Sequence, residues 1–318
     1  MGTDSSKYDM IIIGAGPAGM ATAIYASRMG WNTLVLDKLI VGGLAYTTPI
    51  IENYPGFSEI SGPEFADRLK KQAEKFGTEI KESVEVIDIK VGGPEIEVQT
   101  PLDTYIAKVI VLAMGTTHRH LGVPGEEKLK ESGVSYCATC DGPIYKTRKV
   151  IVVGGGNSAV TEALYLETVP AREVSLIHRR DQLRAEESLQ KQILENSEVK
   201  IVWNSVVTEI IGDEVTGVKK VTIKNVKTGE EQQKRVKAVF VAIGILPNNK
   251  LAKKIGVKLT DNGLIEVDSN QRTNIPRVYA CGDITPGQGQ ISVAVGEGTT
   301  AAISAFLDMR GGDWYGNE

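Results

Sequence analysis

One arrangement occurs twice in this chain and leaves few folds open to it. From Asp9 the apolar run Met10-Ile11-Ile12-Ile13 leads into Gly14-Ala15-Gly16-Pro17-Ala18-Gly19. A helix-like stretch follows to about Met29, then Thr33-Leu34-Val35-Leu36 ends at Asp37. In the same way Val150-Ile151-Val152-Val153 leads into Gly154-Gly155-Gly156-Asn157-Ser158-Ala159. A helix runs to about Leu166, and Val174-Ser175-Leu176-Ile177 ends at His178-Arg179-Arg180. Short uninterrupted apolar runs of this kind suit strands buried on both faces of a parallel sheet. Strand, glycine turn, helix and strand in that order form a dinucleotide-binding fingerprint. The first glycine permits the tight turn, and the second lets a pyrophosphate approach the backbone. The third position lets helix and strand pack closely, and the helix N-terminus favours the phosphates. One such fingerprint alone discriminates poorly; two, each in full context, specify two nucleotide-binding domains.

Later landmarks repeat as well. Alternating segments at 84–89 and 96–99, with the strand entering Leu112, read as a small antiparallel meander laid over the first unit. Segments at 206–211, 218–225 and 232–237 repeat it in the second. Each unit then closes with an apolar strand running into glycine, Val109 to Gly115 in one and Val239 to Gly244 in the other. The tail supplies a short strand, Val278-Tyr279-Ala280, before Cys281-Gly282-Asp283, and a long helix over residues 290–307. We assign both to the first domain. The expected fold class is therefore α/β, with two Rossmann-like (three-layer ββα) nucleotide-binding domains, the second inserted into the first. The expected domains are 1–117 with 248–318, and 118–247, hinged where the chain crosses near 117–122 and 247–249.

Composition narrows the setting. At 318 residues two domains are the natural division, and 42% hydrophobic with 24% charged residues is ordinary for a globular α/β chain. A net charge of −4 gives no reason to expect nucleic acid or an anionic membrane as partner. Residues 10–27 are uncharged over about the length of a spanning helix, but Gly14, Gly16, Pro17 and Gly19 interrupt them. Asp4 and Asp9 flank the apolar stretch and no cleavage region follows, which argues against a leader. The expectation is a cytoplasmic protein.

The two fingerprints end differently. Asp37 can accept hydrogen bonds from an unmodified ribose diol and would repel a 2′-phosphate. Arg179 and Arg180, with Arg184 expected one helical turn on, offer fork-shaped donors for such a phosphate. Each hydrogen bond to a charged group contributes about 1.5–3 kcal/mol, enough to favour NADPH over NADH; a solvated patch at a helix start is the plainer reading. The first site suits FAD, because a hydride from NADPH needs a two-electron acceptor able to reduce a disulfide. A second nicotinamide nucleotide is the alternative there.

Just ahead of the second fingerprint stands Tyr136-Cys137-Ala138-Thr139-Cys140-Asp141-Gly142. Only three cysteines occur, which excludes a disulfide-stapled secreted scaffold. A closable dithiol beside two nucleotide sites points to electrons passing from one nucleotide through the other into a disulfide. The alternative is half a zinc site, for which only distant Cys281 and three histidines remain as ligands.

Over nearly its whole length the chain resembles the low-molecular-weight, flavin-dependent thioredoxin reductases. The resemblance rests on the two glycine turns, Gly42-Gly43, Glu52-Asn53-Tyr54-Pro55-Gly56, the Cys137–Gly142 run, His178-Arg179-Arg180-Asp181 with Arg184, and Gly282-Asp283. It implies a homodimer with FAD, NADPH as donor, thioredoxin as protein substrate, and a large rotation between domains. It implies that Cys140 is the sulfur nearest the flavin and that Cys137 attacks the disulfide of thioredoxin. Asp141 would be the acid/base, a role that requires a carboxyl pKa raised by partial burial; a plain turn residue before Gly142 is the alternative.

For the cofactors the resemblance implies Gly14, Gly16, Pro17 and Ala18 at the first turn, Asp37 and Lys38 after the second strand, and Gly43, Leu44 and Asn53 in the loop beyond. Val86, Ala113, Gly115, Gly282, Asp283, Gln290 and Ile291 complete that set. In the second domain it implies Gly154, Gly156, Asn157, Ser158, Ala159, His178, Arg179, Arg180 and Arg184, with Ile243 and Gly244.

The chain departs from the family at Leu44, where many relatives carry glutamine, at Pro143-Ile144, and at Gly289, where a basic residue is common. Another dithiol protein, glutaredoxin-like or peroxidase-linked, is the alternative substrate; a flavin-binding module without chemistry is the reading from another class. Cys281 reads as buried filler, His118 and His120 as surface polar residues at a hinge, and His178 as a neighbour of the adenosine.

Overall fold

The computed structural model describes residues 7–48, 50–130, 132–169 and 171–311; Asp4, invoked above against a leader, lies outside them. The chain divides into two compact units, Met1–Thr117 with Leu246–Glu318, and His118–Ile245.

The first unit opens with β1 (Lys7–Ile13), helix α1 (Pro17–Arg28) and β2 (Thr33–Leu36). Pro17 starts α1 where its missing N–H costs nothing. A 3₁₀ turn at Gly43–Thr47, α2 (Gly62–Lys75) and β3 (Glu79–Lys81) follow, then β4 (Asp88–Lys90), β5 (Ile96–Gln99) and β6 (Thr104–Leu112). Ser61 caps α2, its hydroxyl accepting the Glu64 N–H at 3.3 Å. The sheet order is β3-β2-β1-β6-β5-β4, parallel through its centre and antiparallel from β6 to β4.

Period-two alternation divides the core between the two faces of this sheet. Met10, Ile12, Val35, Val109 and Val111 pack with α1, α2 and the C-terminal helix. Ile11, Ile13, Leu34, Leu36, Ile110 and Leu112 pack with Ile96, Val98 and Tyr105. Burying each large aliphatic side chain contributes about 1.5–3 kcal/mol, so both faces are committed.

The structure corrects the meander in two respects. Residues 84–87 form no strand, because Ser83 turns at φ 59 and the Ser83 and Val84 N–H groups go to the carbonyls of Leu39 and Asp37. The remaining strands are continuous with the parallel sheet, since β6 is long enough to pair with β5 along its first part and β1 along most of its length.

From β6 the chain passes through β7 (Thr116–His118) into the second unit, and later returns through β16 (Ile245–Pro247), which pairs with β7. Between them lie β8 (Val134–Ser135), the single turn α3 (Ala138–Asp141), a 3₁₀ turn at Gly142–Tyr145, β9 (Lys149–Gly154), α4 (Asn157–Thr168) and β10 (Glu173–Ile177). Then come α5 (Glu187–Glu195), β11 (Lys200–Val202), β12 (Ser205–Asp213), β13 (Gly217–Asn225), β14 (Glu231–Arg235) and β15 (Ala238–Ala242).

The parallel order is β11-β10-β9-β15-β8, and β12-β13-β14 form a separate antiparallel sheet. Again alternate residues divide: Val150 and Val152 face the helices, Ile151 and Val153 face the meander. Lys234 on β14 reaches Glu173 on β10 at 2.8 Å and the Ser175 hydroxyl at 2.7 Å, fastening the meander to the sheet. Lys149 and Lys200 each lie 3.3 Å from the same carboxylate.

Back in the first unit, α6 (Lys250–Lys254) precedes β17 (Val278–Ala280), which adds to β6, and α7 (Ile291–Arg310) closes the fold. α7 lies close against α1, where a Cβ at Gly298 would stand 2.1 Å from the Ala18 carbonyl oxygen. Thr22 donates to the Gly298 carbonyl at 3.0 Å, and the wholly buried Cys281 thiol lies 3.6 Å from that hydroxyl. No helix among the described residues is long and apolar enough to cross a membrane.

Candidate functional site

In the first unit, Gly14 turns at φ +108, and a Cβ there would meet the Ala113 carbonyl oxygen at 2.2 Å. Gly16 is different: its backbone is extended, and the space a Cβ would enter is open. That opening is where a pyrophosphate can approach the N-terminus of α1. Asp37 braces the turn, one carboxylate oxygen accepting the Ala15 N–H at 2.6 Å and the other the Leu39 N–H at 2.7 Å. A carboxylate has about four acceptor positions, so capacity for a diol is left.

The loop beyond brings Gly43 beside Gly16; Lys38 and Leu44 are exposed. Asn53 donates to the side chain of Gln290 at 3.2 Å, joining residues far apart in sequence just before Ile291 opens α7. Val86 and Ala113 have their side chains buried, leaving only their main chains for a ligand. Ala18 packs under Gly282, and the Gly115 carbonyl accepts the Asn248 N–H at 3.1 Å. Burial pushes the Asp283 carboxyl pKa up. Nearby Glu297 accepts the Gly282 N–H at 2.7 Å and the Thr285 hydroxyl at 3.2 Å.

The second unit repeats the turn. A Cβ at Gly154 would meet the Ala242 carbonyl oxygen at 2.3 Å, whereas the space beside Gly156 is open. Ala159 is buried in the third position and Ser158 is exposed. Asn157 exchanges hydrogen bonds with Glu186, through its side-chain N–H at 2.9 Å and from the Glu186 N–H at 2.8 Å. His178 is buried directly against Gly155, with Nε2 2.9 Å from the Gln182 carbonyl oxygen. It thus shapes the glycine turn from beneath.

Arg179, Arg180 and Arg184 are exposed. Among the described residues none of their guanidinium groups has a hydrogen bond or an ion pair. Arg184 is not carried by a helix: residues 179–186 are bends and extended chain. Its N–H instead donates to the Gly155 carbonyl at 2.6 Å, bringing it to the turn. Ile243 and Gly244 follow β15, with Gly244 at φ +106.

The cysteines sit on α3. Cys137 caps that turn, its sulfur accepting the Cys140 N–H at 3.2 Å, and the two are joined as a disulfide with Cα atoms 5.3 Å apart. One helical turn places residues three apart on the same face, which is what the spacing provides. Ala138 is fully buried, and Gly142 sits where a side chain would strike Leu166 and Tyr165 of α4, so the turn is anchored at both ends. Burial pushes the Asp141 carboxyl pKa up, opposed by the Ser135 hydroxyl, which donates to it at 2.6 Å. The upward direction is the one an acid working near neutral pH requires.

Several residues around this turn escape a sequence reading. Ser135 is one. Glu162 on α4 is another: burial pushes its pKa up to about 7, and its Oε2 has no hydrogen-bond partner. His120 is exposed and His118 half-buried, and both pack against Tyr136. His118 stacks on the Tyr136 ring with centroids 4.9 Å apart, and burial pushes its pKa down, helped by His120 and Lys130. The Tyr136 hydroxyl lies 2.8 Å from His120 Nδ1 and donates to buried Glu126 at 2.9 Å. The signal available in sequence was modest: an aromatic residue immediately before a Cys-x-x-Cys and an acid that could fold back on it.

The profile of the pyridine nucleotide-disulphide oxidoreductases matches residues 8–298. The chain is 42% identical over 311 residues to the thioredoxin reductase of Listeria monocytogenes, covering 96% of this chain and 95% of that protein. It is 41% identical over 308 residues to the thioredoxin reductase of Bacillus subtilis, covering 95% of each. The crystal structure of thioredoxin reductase from Streptococcus pyogenes superposes with a TM-score of 0.91 at 40% identity, over 97% of this chain and 100% of that one. The chain belongs to the pyridine nucleotide-disulphide oxidoreductase family and, within it, to the low-molecular-weight thioredoxin reductases.

Proposed function

We propose that the protein is an NADPH-dependent thioredoxin-disulfide reductase, passing electrons from NADPH through FAD to the Cys137–Cys140 disulfide and on to thioredoxin. The observation that carries this reading is the disulfide itself, closed on a capped helical turn in the same unit as a nucleotide turn flanked by uncommitted arginines.

The cofactors fit the residues present. The space beside Gly16 and Gly156 is open; Asp37 keeps acceptor capacity for an unmodified ribose, while Arg179, Arg180 and Arg184 supply donors for a 2′-phosphate. On this reading the first unit holds FAD and the second holds NADPH and the dithiol, with the crossings near β7 and β16 as hinges. Bound FAD supplies the two-electron step between nicotinamide and disulfide.

The remaining work falls to the chain. Reduction of the disulfide leaves Cys137 and Cys140 as thiols. Cys137, as thiolate, attacks one sulfur of the thioredoxin disulfide, forming a mixed disulfide and releasing a thioredoxin thiolate. Cys140 then attacks Cys137, re-forming the intramolecular disulfide and releasing the second thioredoxin thiolate. Both leaving thiolates take protons, and Asp141 is the acid placed to deliver them. The Cys140 N–H directed at Cys137 favours thiolate there. The family resemblance further supports a cytoplasmic homodimer.

Anaerobic titration of the flavin-loaded protein with NADPH and with NADH, followed by thioredoxin-coupled turnover, tests the reading. NADPH should bleach the flavin at far lower concentration than NADH, and thioredoxin should turn over. Flavin reduction without thioredoxin turnover would assign the dithiol to a different protein disulfide. C140S should keep flavin reduction by NADPH and lose disulfide turnover.

A further inference from the structure

Ser135 ends β8, is buried at 5% exposure, and is fixed by pairing with Phe240 on β15. Its hydroxyl makes three contacts with the redox turn. It donates to Asp141 Oδ2 at 2.6 Å, accepts the Cys137 N–H at 3.1 Å, and has a second acceptor in the Cys137 carbonyl oxygen at 3.3 Å. A hydroxyl has one proton to give. The shorter distance assigns it to the ionised carboxylate, and the carbonyl is where it can go when that carboxylate no longer needs a donor.

We propose that Ser135 is a positioning residue for Asp141, donating to the ionised carboxylate and swinging to the Cys137 carbonyl when the carboxyl takes a proton, so that the acid stays registered to Cys137 in both states. The proposal rests on the reading of Asp141 as the acid of dithiol exchange. The proton account is closed: Asp141 gives its proton to a leaving thiolate and regains it from a thiol or solvent, and Ser135 keeps its own throughout. Without the hydroxyl, an ionised Asp141 is a half-desolvated carboxylate with no side-chain donor, the arrangement that disfavours the charged form. The other titratable groups on elements packed against α3 are Glu162, Tyr165 and Glu167 on α4 and Tyr145 in the following turn; Tyr145 faces Asp141 closely enough that the carboxylate raises its pKa, after burial.

The test uses flavin-loaded protein and four variants: S135A, S135T, D141N and S135A/D141N. In stopped flow, the reduced enzyme is mixed with oxidised thioredoxin across the neutral pH range. S135A should slow thioredoxin reduction about tenfold below the inflection, where Asp141 is protonated in both proteins and only its alignment to Cys137 differs, and move the acid-dependent inflection to higher pH. S135T, which keeps the hydroxyl, should restore both. In the D141N background S135A should change the rate by less than about twofold, because the two act through one interaction. Equal slowing by S135A with and without Asp141 would overturn the proposal and leave Ser135 a packing residue. A wild-type rate for D141N would instead remove Asp141 from the chemistry, and the proposal with it. A second readout needs no turnover: the carbon-13 titration of the Asp141 carboxyl in oxidised protein should shift upward in S135A, and an unchanged midpoint would sink the idea.

Discussion

The two nucleotide turns are built on one plan and finished in opposite ways. In each, a first glycine is hemmed in by a carbonyl from the closing strand, while the next glycine of the motif faces open space. In the first unit the acid after β2 is drawn inward, its two oxygens bonded to the Ala15 and Leu39 N–H groups. In the second, the residue in the corresponding place, His178, is buried under the glycine turn, and the arginines beside it are exposed and without side-chain partners among the described residues. On the proposed reading the shared parts make the phosphate cradle, and selectivity lies in the residues after the second strand, an acid partly bonded to the chain in one unit and arginines in the other.

The comparison breaks most directly at the arginines. R179A/R180A should weaken NADPH about 100-fold or more, from two lost charge-assisted contacts of about 1.5–3 kcal/mol each, while NADH and FAD affinities stay nearly constant. Equilibrium binding of each nucleotide checks this, and parallel loss of NADH and NADPH would refute the 2′-phosphate assignment. A paired exchange sharpens it. G16A and G156A both place a methyl group in open space on backbone that alanine accepts, so both proteins should fold. Crowding of a bound pyrophosphate by about 1–3 kcal/mol should cost FAD affinity roughly tenfold in the first variant and NADPH affinity roughly tenfold in the second, with little crossover.

The smallest effect concerns how each meander is attached. The first shares β6 with its parallel sheet; the second depends partly on the bond from Lys234 on β14 to Glu173 on β10. E173Q should lower unfolding stability by about 1–2 kcal/mol, measured by denaturant titration, and leave nucleotide binding intact. The pH dependence has a definite sign. The lysine contacts, Lys234 first, lower the Glu173 pKa from 4.5 to about 2. Its stabilisation is therefore full above about 4.5 and fades as pH falls towards 2. A stability difference between wild type and E173Q that persisted at the acid end of that window would contradict this account.

Much of the frame was legible in the sequence because its cues are local. β2 occupies the four residues its apolar run marks, and the strand at Val278–Ala280 likewise. Alternation and glycine placement report backbone demands that do not depend on distant partners. The failures are all of long-range origin. Residues 84–87 alternate like a strand, but the chain enters them from a turn held to the loop after β2, where the Ser83 and Val84 N–H groups go to the Leu39 and Asp37 carbonyls. Arg184 lies at helical spacing from Arg180, yet a main-chain bond to Gly155 carries it into place. Ser135 and Glu126 carry no motif; their contacts arise from the folding of a short strand and a loop around one redox turn, which spacing along the chain does not encode.

Cys281 gives the molecule a convenient property as an analytical object. It is the single cysteine outside the redox pair, it has no exposed surface, and burial pushes its thiol pKa up to about 12. An alkylating reagent, which needs an accessible thiolate, therefore meets a native chain with nothing to label when oxidised and two sulfurs when reduced. The mass gained by intact protein becomes a direct count of electron pairs stored at Cys137 and Cys140, independent of the flavin's colour.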